Sequence, residues 1–181
     1  MLQLILIILA VIIVLFVVVV ASRPSTFQVS RSIRITAPPS AVFSQVNDLH
    51  NFQTWSPWTK LDPGCKTAFS GPVAGAGAVF AWSGNNKVGE GRMTLTESHP
   101  TDLIRFKLEF LRPFKGTNLT EFTFKPEGAQ TAVTWTMSGQ YNFITKAVGL
   151  FMNCDKMMGG QFDRGLAQMK SLTEAAVPQA V

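Results

Sequence analysis

Every residue from Leu4 to Ala21 is apolar, without Gly or Pro, and the first charge is Arg23. Coiled as a helix, that run is about 27 Å long, close to the thickness of a bilayer hydrocarbon core. A single membrane-spanning helix over residues 1–22 is therefore expected, followed by a linker over 23–27. A cleavable signal peptide would need a basic leading segment, a shorter apolar core and a small-x-small exit. "MLQ" has no basic side chain, and "VVAS" is a poor cleavage site.

Beyond the linker the period changes to two. In "FQVSRSIRI", Phe27, Val29, Ile33 and Ile35 alternate with Gln28, Ser30, Ser32 and Arg34, the pattern of a half-buried strand. Pro38 and Pro39 end it, and Ser40 is the expected N-cap of a short helix carrying Val42, Phe43 and Val46. A second short helix is predicted from Leu49 to Thr54, stopping before Pro57 because the residue preceding a proline avoids the helical region.

From Lys66 to Tyr141 the chain reads as strands and turns. Strands are predicted near 77–82, 88–97, 103–111, 118–125 and 131–139, separated by "SGNN", "SHPTD", "RPFKG" and "PEGAQ". One face of these strands is apolar: Phe80 and Trp82, Met93 and Leu95, Phe106 and Leu108, Phe122 and Phe124, Trp135 and Met137. Arg105, Lys107, Glu109, Glu121, Thr134 and Thr136 occupy the other, so the expected antiparallel sheet buries one side only. The last segment is helical, with Met158, Phe162, Leu166, Met169 and Leu172 forming an apolar stripe and Asn153 as its N-cap. Phe143 to Met152 forms a separate short helical stretch, and residues 176–181 read as a flexible tail.

The formal charge of +5 lies entirely after the apolar run. A basic domain beside a membrane can rest on anionic headgroups; no Lys/Arg run or nucleic-acid motif points to DNA or RNA. Arg23, Arg31 and Arg34 follow the span, which by the positive-inside tendency puts the domain in the cytoplasm. Cys65 and Cys154 stand far apart and, with His50 and His99, give no metal-ligand spacing; two buried free thiols are expected, with no metal and no cofactor. The glycines of "GPVAGAG" and "GEG" lie among strands, where they suit bends rather than phosphate loops.

Three stretches carry a family resemblance: "RSIRITAPPSAVFSQVNDLHNFQTWSPW", "GEGRMTLTES" from Gly89, and "DKMMGGQFDRGLAQMK". They resemble the START-like, Bet v 1-like (SRPBCC) superfamily, and within it bacterial proteins of the polyketide cyclase/dehydrase and lipid-transport type. The resemblance covers nearly all of the chain after the apolar run. It implies an α+β helix-grip fold over residues 27–175: a curved antiparallel sheet gripping a long C-terminal helix, with two short helices closing the cup. An apolar cavity is implied between them, lined by Trp55, Trp58, Phe80, Trp82, Phe106, Phe122, Trp135, Met158 and Phe162. Trp55 and Trp58 would cap one end of the cup, either touching a ligand or plugging the core.

Three functions remain open: a membrane-anchored module binding an apolar small molecule or lipid, a cyclase/dehydratase acting on a polyketide-like ring, and an interaction domain with a filled cavity. Strand parity puts Glu97 beside Met93 and Leu95, which makes it the one candidate catalytic acid, although near a strand end it also reads as a rim charge. No Ser/His/Asp order or paired-carboxylate motif stands beside it.

Overall fold

A computed structural model describes residues 1–151 and 154–176. The expected N-cap Asn153 and the tail from residue 177 lie outside the described residues. An apolar helix α1 (Leu2–Ala21) leads through Ser22–Ser25 into β1 (Thr26–Ile35). Two short helices follow, α2 (Pro39–Asn47) and α3 (Leu49–Trp55), then six strands: β2 (Lys66–Ser70), β3 (Val79–Ser83), β4 (Glu90–His99), β5 (Leu103–Arg112), β6 (Gly116–Glu127) and β7 (Gln130–Gln140). Helices α4 (Phe143–Gly149) and α5 (Cys154–Ala176) complete the described chain.

The seven strands form one antiparallel sheet in the order β1-β7-β6-β5-β4-β3-β2, so the chain closes by pairing its first strand with its last. Helix α5 lies along β1, with α2 and α3 on the same side. This is the α+β helix-grip architecture. The apolar strand faces turn inward: Val29, Leu95, Ile104, Phe106, Phe122, Phe124, Val133 and Trp135 are all buried in one core with Phe162, Leu166 and Met169 of α5.

The outer face is an ion-pair lattice. Arg92 Nε donates to Glu109 at 2.7 Å, Lys107 Nζ reaches the other oxygen of Glu109 at 3.0 Å, and Arg105 joins Glu97 at 2.8 Å to Glu121 at 2.7 Å. Arg92 and Lys107 together hold the Glu109 carboxyl at about 2, well below its usual value.

Several local expectations shift. The N-cap of α2 is Pro38, with Pro39 in the first turn where its missing N–H costs nothing, and Ser40 sits inside the helix. On α5, Leu172 is exposed and Thr173 turns inward instead, its hydroxyl donating to Met169 O at 2.7 Å. The thiol of Cys65 is half-buried rather than buried. The glycines act as bends and close contacts: Gly89 has φ +71°, and a Cβ on Gly91 would meet the Glu109 carbonyl and the Trp82 ring.

Candidate functional site

The concave face divides into two halves along the strands. In the half toward the β4–β5 and β6–β7 turns, α2 and α3 fill the space. Asp48 caps α3 by accepting from the His50 N–H at 2.8 Å, and Phe52 and Trp55 descend from α3 onto the sheet. Trp55 lies 5.7 Å from Trp135 in an edge contact, and its indole N–H donates to Gln45 O at 2.9 Å. Trp135 is sandwiched between Phe122 at 4.9 Å and Phe162 at 4.1 Å, the second pair nearly parallel at 7°. Each such aromatic pair adds about 0.5–1.5 kcal/mol beyond its buried area. No space for water touches Trp55, Phe106, Phe122 or Phe162, which are all 0% exposed, and Trp135 is 1% exposed. In this state these five residues fill the cup rather than line an opening.

The other half, toward the end at which α1 enters, is different. Phe27, Trp58, Trp82, Phe110 and Met158 pack against the core but are only partly buried, although all face inward from β1, the α3–β2 loop, β3, β5 and α5. Phe80 is 7% exposed and stacks on Trp82 at 5.9 Å. Phe27 stacks on Tyr141 at 4.8 Å beside Gly139, where an added Cβ would collide with the Phe27 ring and with Asn118. Trp58 closes the side of this mouth, edge-on to Trp135 at 5.6 Å and to Phe162 at 6.3 Å. Of the residues expected to line a cavity, Trp58, Phe80, Trp82 and Met158 therefore gather here. Phe27 and Phe110 join them; their inward parity was visible in the sequence, but not their exposure.

Among the described residues two buried polar atoms facing this apolar interior have no hydrogen-bond partner, Thr120 Oγ1 and Trp135 Nε1. Thr120 shares the inward parity of Phe122 and Phe124, so a polar residue on an apolar face was a readable signal. Replacing Thr120 by valine keeps its shape and removes an unpaired hydroxyl. It is expected to raise stability by about 1 kcal/mol in chemical denaturation, and a loss would show that the hydroxyl has a partner in solution.

Charged groups near the interior are engaged structurally. Arg31 lies inward opposite Trp135, and its guanidinium lies against Gly159, bridging Asp155 at 3.2 Å and Asp163 at 3.4 Å on α5. Glu97 does not face the interior. The register shift between Leu95 and Glu97 leaves Thr96 as an extra residue, so Glu97 pairs with Arg105 on the outer face and Ser98 takes the inward position, donating to Asn47 Oδ1 at 2.7 Å. The bulge overturns the parity that made Glu97 a cavity acid. His50 stacks on Phe69 at 4.0 Å over a small recess of about 90 Å³, on the far side of α3. Among the described residues no group of three His, Cys, Asp or Glu side chains could hold a metal ion.

The larger recess is an open groove of about 930 Å³ at the α1 end of the sheet, lined by Phe27, Lys107, Lys115, Asn118 and Tyr141 among others. Its lining combines inward positions of the strands, Phe27 and Asn118, with outward ones, Lys107 and Leu119.

A model of the family "Polyketide cyclase / dehydrase and lipid transport" matches residues 26–174. The chain belongs to that family. With the curved sheet and the gripped helix, this puts it in the START-like, Bet v 1-like superfamily. Among solved structures it resembles protein TTHA0849 from Thermus thermophilus, with 19% identity, a TM-score of 0.61, and 84% of this chain and 100% of that one covered. It also resembles protein CV1439 from Chromobacterium violaceum (18% identity, TM-score 0.59, 84% and 99% covered) and ginseng major latex-like protein 151 from Panax ginseng (13%, 0.60, 86% and 100%). At such identities the likeness speaks for the fold alone. No curated protein matches the chain.

Proposed function

We propose that this protein is a membrane-anchored binding module for an apolar small molecule or lipid, held in the half of the cup where α1 enters. The observation that carries this reading is the group of inward-facing, only partly buried side chains Phe27, Trp58, Trp82, Phe110 and Met158 beside a closed aromatic core. Large apolar surface left uncovered on a concave face is what an apolar ligand would cover. Aromatic faces and methionine thioethers accommodate varied apolar shapes, which suits a lipid chain or a ring.

Anchoring is supported by α1, a helix of 20 residues in which only Val20 is buried. A helix apolar all round and uncovered by its own chain needs a membrane or an equivalent partner. For the side of the membrane, Arg31 and Arg34 carry little weight because each has carboxylate partners within the fold. Arg23 is exposed directly after α1 and favours a cytoplasmic domain.

The test is native mass spectrometry of the full-length chain released from membranes in mild detergent. Wild type is expected to carry bound lipid or another apolar small molecule, Met158→Asp to lose most of it, and Glu97→Gln to retain it. An empty wild-type chain, or binding unchanged by Met158→Asp, would overturn the reading.

A further inference from the structure

We infer that the end of the domain nearest α1 is a bilayer-docking face: the β5–β6 hairpin tip and α4 seat apolar side chains at the acyl boundary of the membrane that holds α1, with Arg23 and Lys115 against anionic headgroups. This rests on the anchored reading above and adds to it an orientation and a contact surface.

The strand directions define two ends. β1 starts, β7 finishes, and β5 turns into β6 at the end where α1 enters. Only Ser22 to Ser25 separate α1 from β1, a reach of at most about 14 Å. That short connection is itself fixed. The Tyr141 N–H donates to Ser25 O at 2.8 Å, Lys146 Nζ donates to Ser25 Oγ at 2.9 Å, and α4 packs against α1. The near end of the sheet therefore cannot stand far from the bilayer surface.

Exposed apolar side chains concentrate at this end. Leu111 and Phe114 project from the hairpin tip, and Phe143, Ile144, Val148 and Phe151 from α4 and the residues after it. At the opposite end, the tips of the β4–β5 and β6–β7 hairpins, His99–Asp102 and Glu127–Gln130, carry no large apolar side chain, and the β2–β3 connection exposes one, Val73. Charge divides the same way. Arg23, Arg112, Lys115 and Lys146 lie at the near end with Glu90, whereas the two far tips carry Asp102 and Glu127, the latter paired with Arg34 at 2.6 Å. Among the described residues Arg112 is joined to Glu90 at 2.6 Å and Lys146 to the Ser25 hydroxyl, whereas Arg23 and Lys115 have neither an ion pair nor a side-chain hydrogen bond. Lys115 also lines the open groove at this end.

Apolar side chains ringed by unpaired cations suit the interface of an anionic bilayer better than the surface of a protein partner. The α1 connection already holds that bilayer at this face. The partly buried side chains Phe27, Trp82, Phe110 and Met158 lie at the same end, so an apolar molecule held among them would pass between the acyl layer and the cup without crossing bulk water.

The experiment uses the full-length chain in nanodiscs, with Cys65 and Cys154 replaced by serine and a nitroxide attached through Phe114→Cys or, at the far end, Ala129→Cys. Collision rates with oxygen, which partitions into lipid, and with a water-soluble nickel chelate report depth. The oxygen-to-nickel ratio is expected to be several-fold higher at position 114 than at position 129. It should also be higher in phosphatidylcholine–phosphatidylglycerol discs than in phosphatidylcholine alone, with Lys115→Glu removing that difference. Equal ratios at 114 and 129 in a chain that still incorporates into discs would overturn docking while leaving the anchor and ligand binding intact. A lipid-exposed label at 114 indifferent to phosphatidylglycerol would overturn the headgroup contact. A chain that does not incorporate would instead defeat the anchored reading, and docking with it. Tryptophan emission matching the unlabelled chain checks that each labelled variant is folded.

Discussion

Phe106→Asp is expected to leave the domain unfolded in water at room temperature, while Lys107→Gln, one residue along, changes stability by less than about 1 kcal/mol. Phe106 is fully buried, strand-paired between Leu95 and Thr120, with Phe52 at 6.1 Å and Phe122 at 6.2 Å. Removing a buried phenylalanine ring alone costs about 3–5 kcal/mol. The new carboxylate adds several kcal/mol more, because Phe52 and Phe122 offer it no cation and the Thr120 hydroxyl across the strand offsets only part of its desolvation. Together these fall within the roughly 5–15 kcal/mol that holds a typical domain folded, enough to remove most or all of it. Lys107 points the other way, about half-exposed, and its contact with Glu109 at 3.0 Å is a surface pair worth little. Far-UV circular dichroism and urea titration of both variants give the answer. A cooperatively folded Phe106→Asp domain, or equal losses in the two variants, would contradict the inward register of β5.

That contrast was legible in the sequence because strand parity fixes which face a side chain takes, and over β6, β7 and β5 as far as Phe110 the alternation is unbroken. Where an extra residue enters, parity fails. Thr96 has no composition that marks it as a bulge, and its insertion moves Glu97 from the interior to the outer lattice. Parity also says nothing about depth along a face. Trp55 and Trp58, alike in sequence context, end up fully enclosed and only partly buried because α3 drives Trp55 against Trp135 while the loop after it carries Trp58 toward the mouth. The same limit separates Phe106 and Phe122, which fill the cup, from Trp82 and Phe110, which border its opening: the difference is set by how far α2 and α3 reach along the sheet. β2 was missed as a distinct strand because "KTAFS" is short and wholly exposed, leaving no buried face to announce it. On α5 the spacing favoured Leu172, but Thr173 fits the turn inward because its hydroxyl finds the Met169 carbonyl one turn back.

The full-length chain is expected to remain with the membrane fraction after extraction at alkaline pH, which strips proteins held only by charge or by surface contact. Helix α1 has a mean hydropathy of 3.8 over its best window, and of its residues only Val20 is buried, although α4 packs against it. Each Leu, Ile, Val or Phe near the centre of a spanning helix contributes about 0.3–0.6 kcal/mol to insertion, so the run from Leu4 to Val20 sums to roughly 5–10 kcal/mol. Two lysines placed mid-helix, at Val11 and Ile12, would cost roughly 5–7 kcal/mol and cancel most of that. Val11→Lys with Ile12→Lys should therefore shift most of the chain to the soluble or aggregated fraction. The comparison separates three cases. Retention of wild type and loss of the double variant supports a spanning helix, and retention of both would place the attachment on the near-end face instead of α1. Release of wild type together with a mature N-terminus near Ser22 would mean that α1 had been removed as a leader, and the cup would then work without a tether.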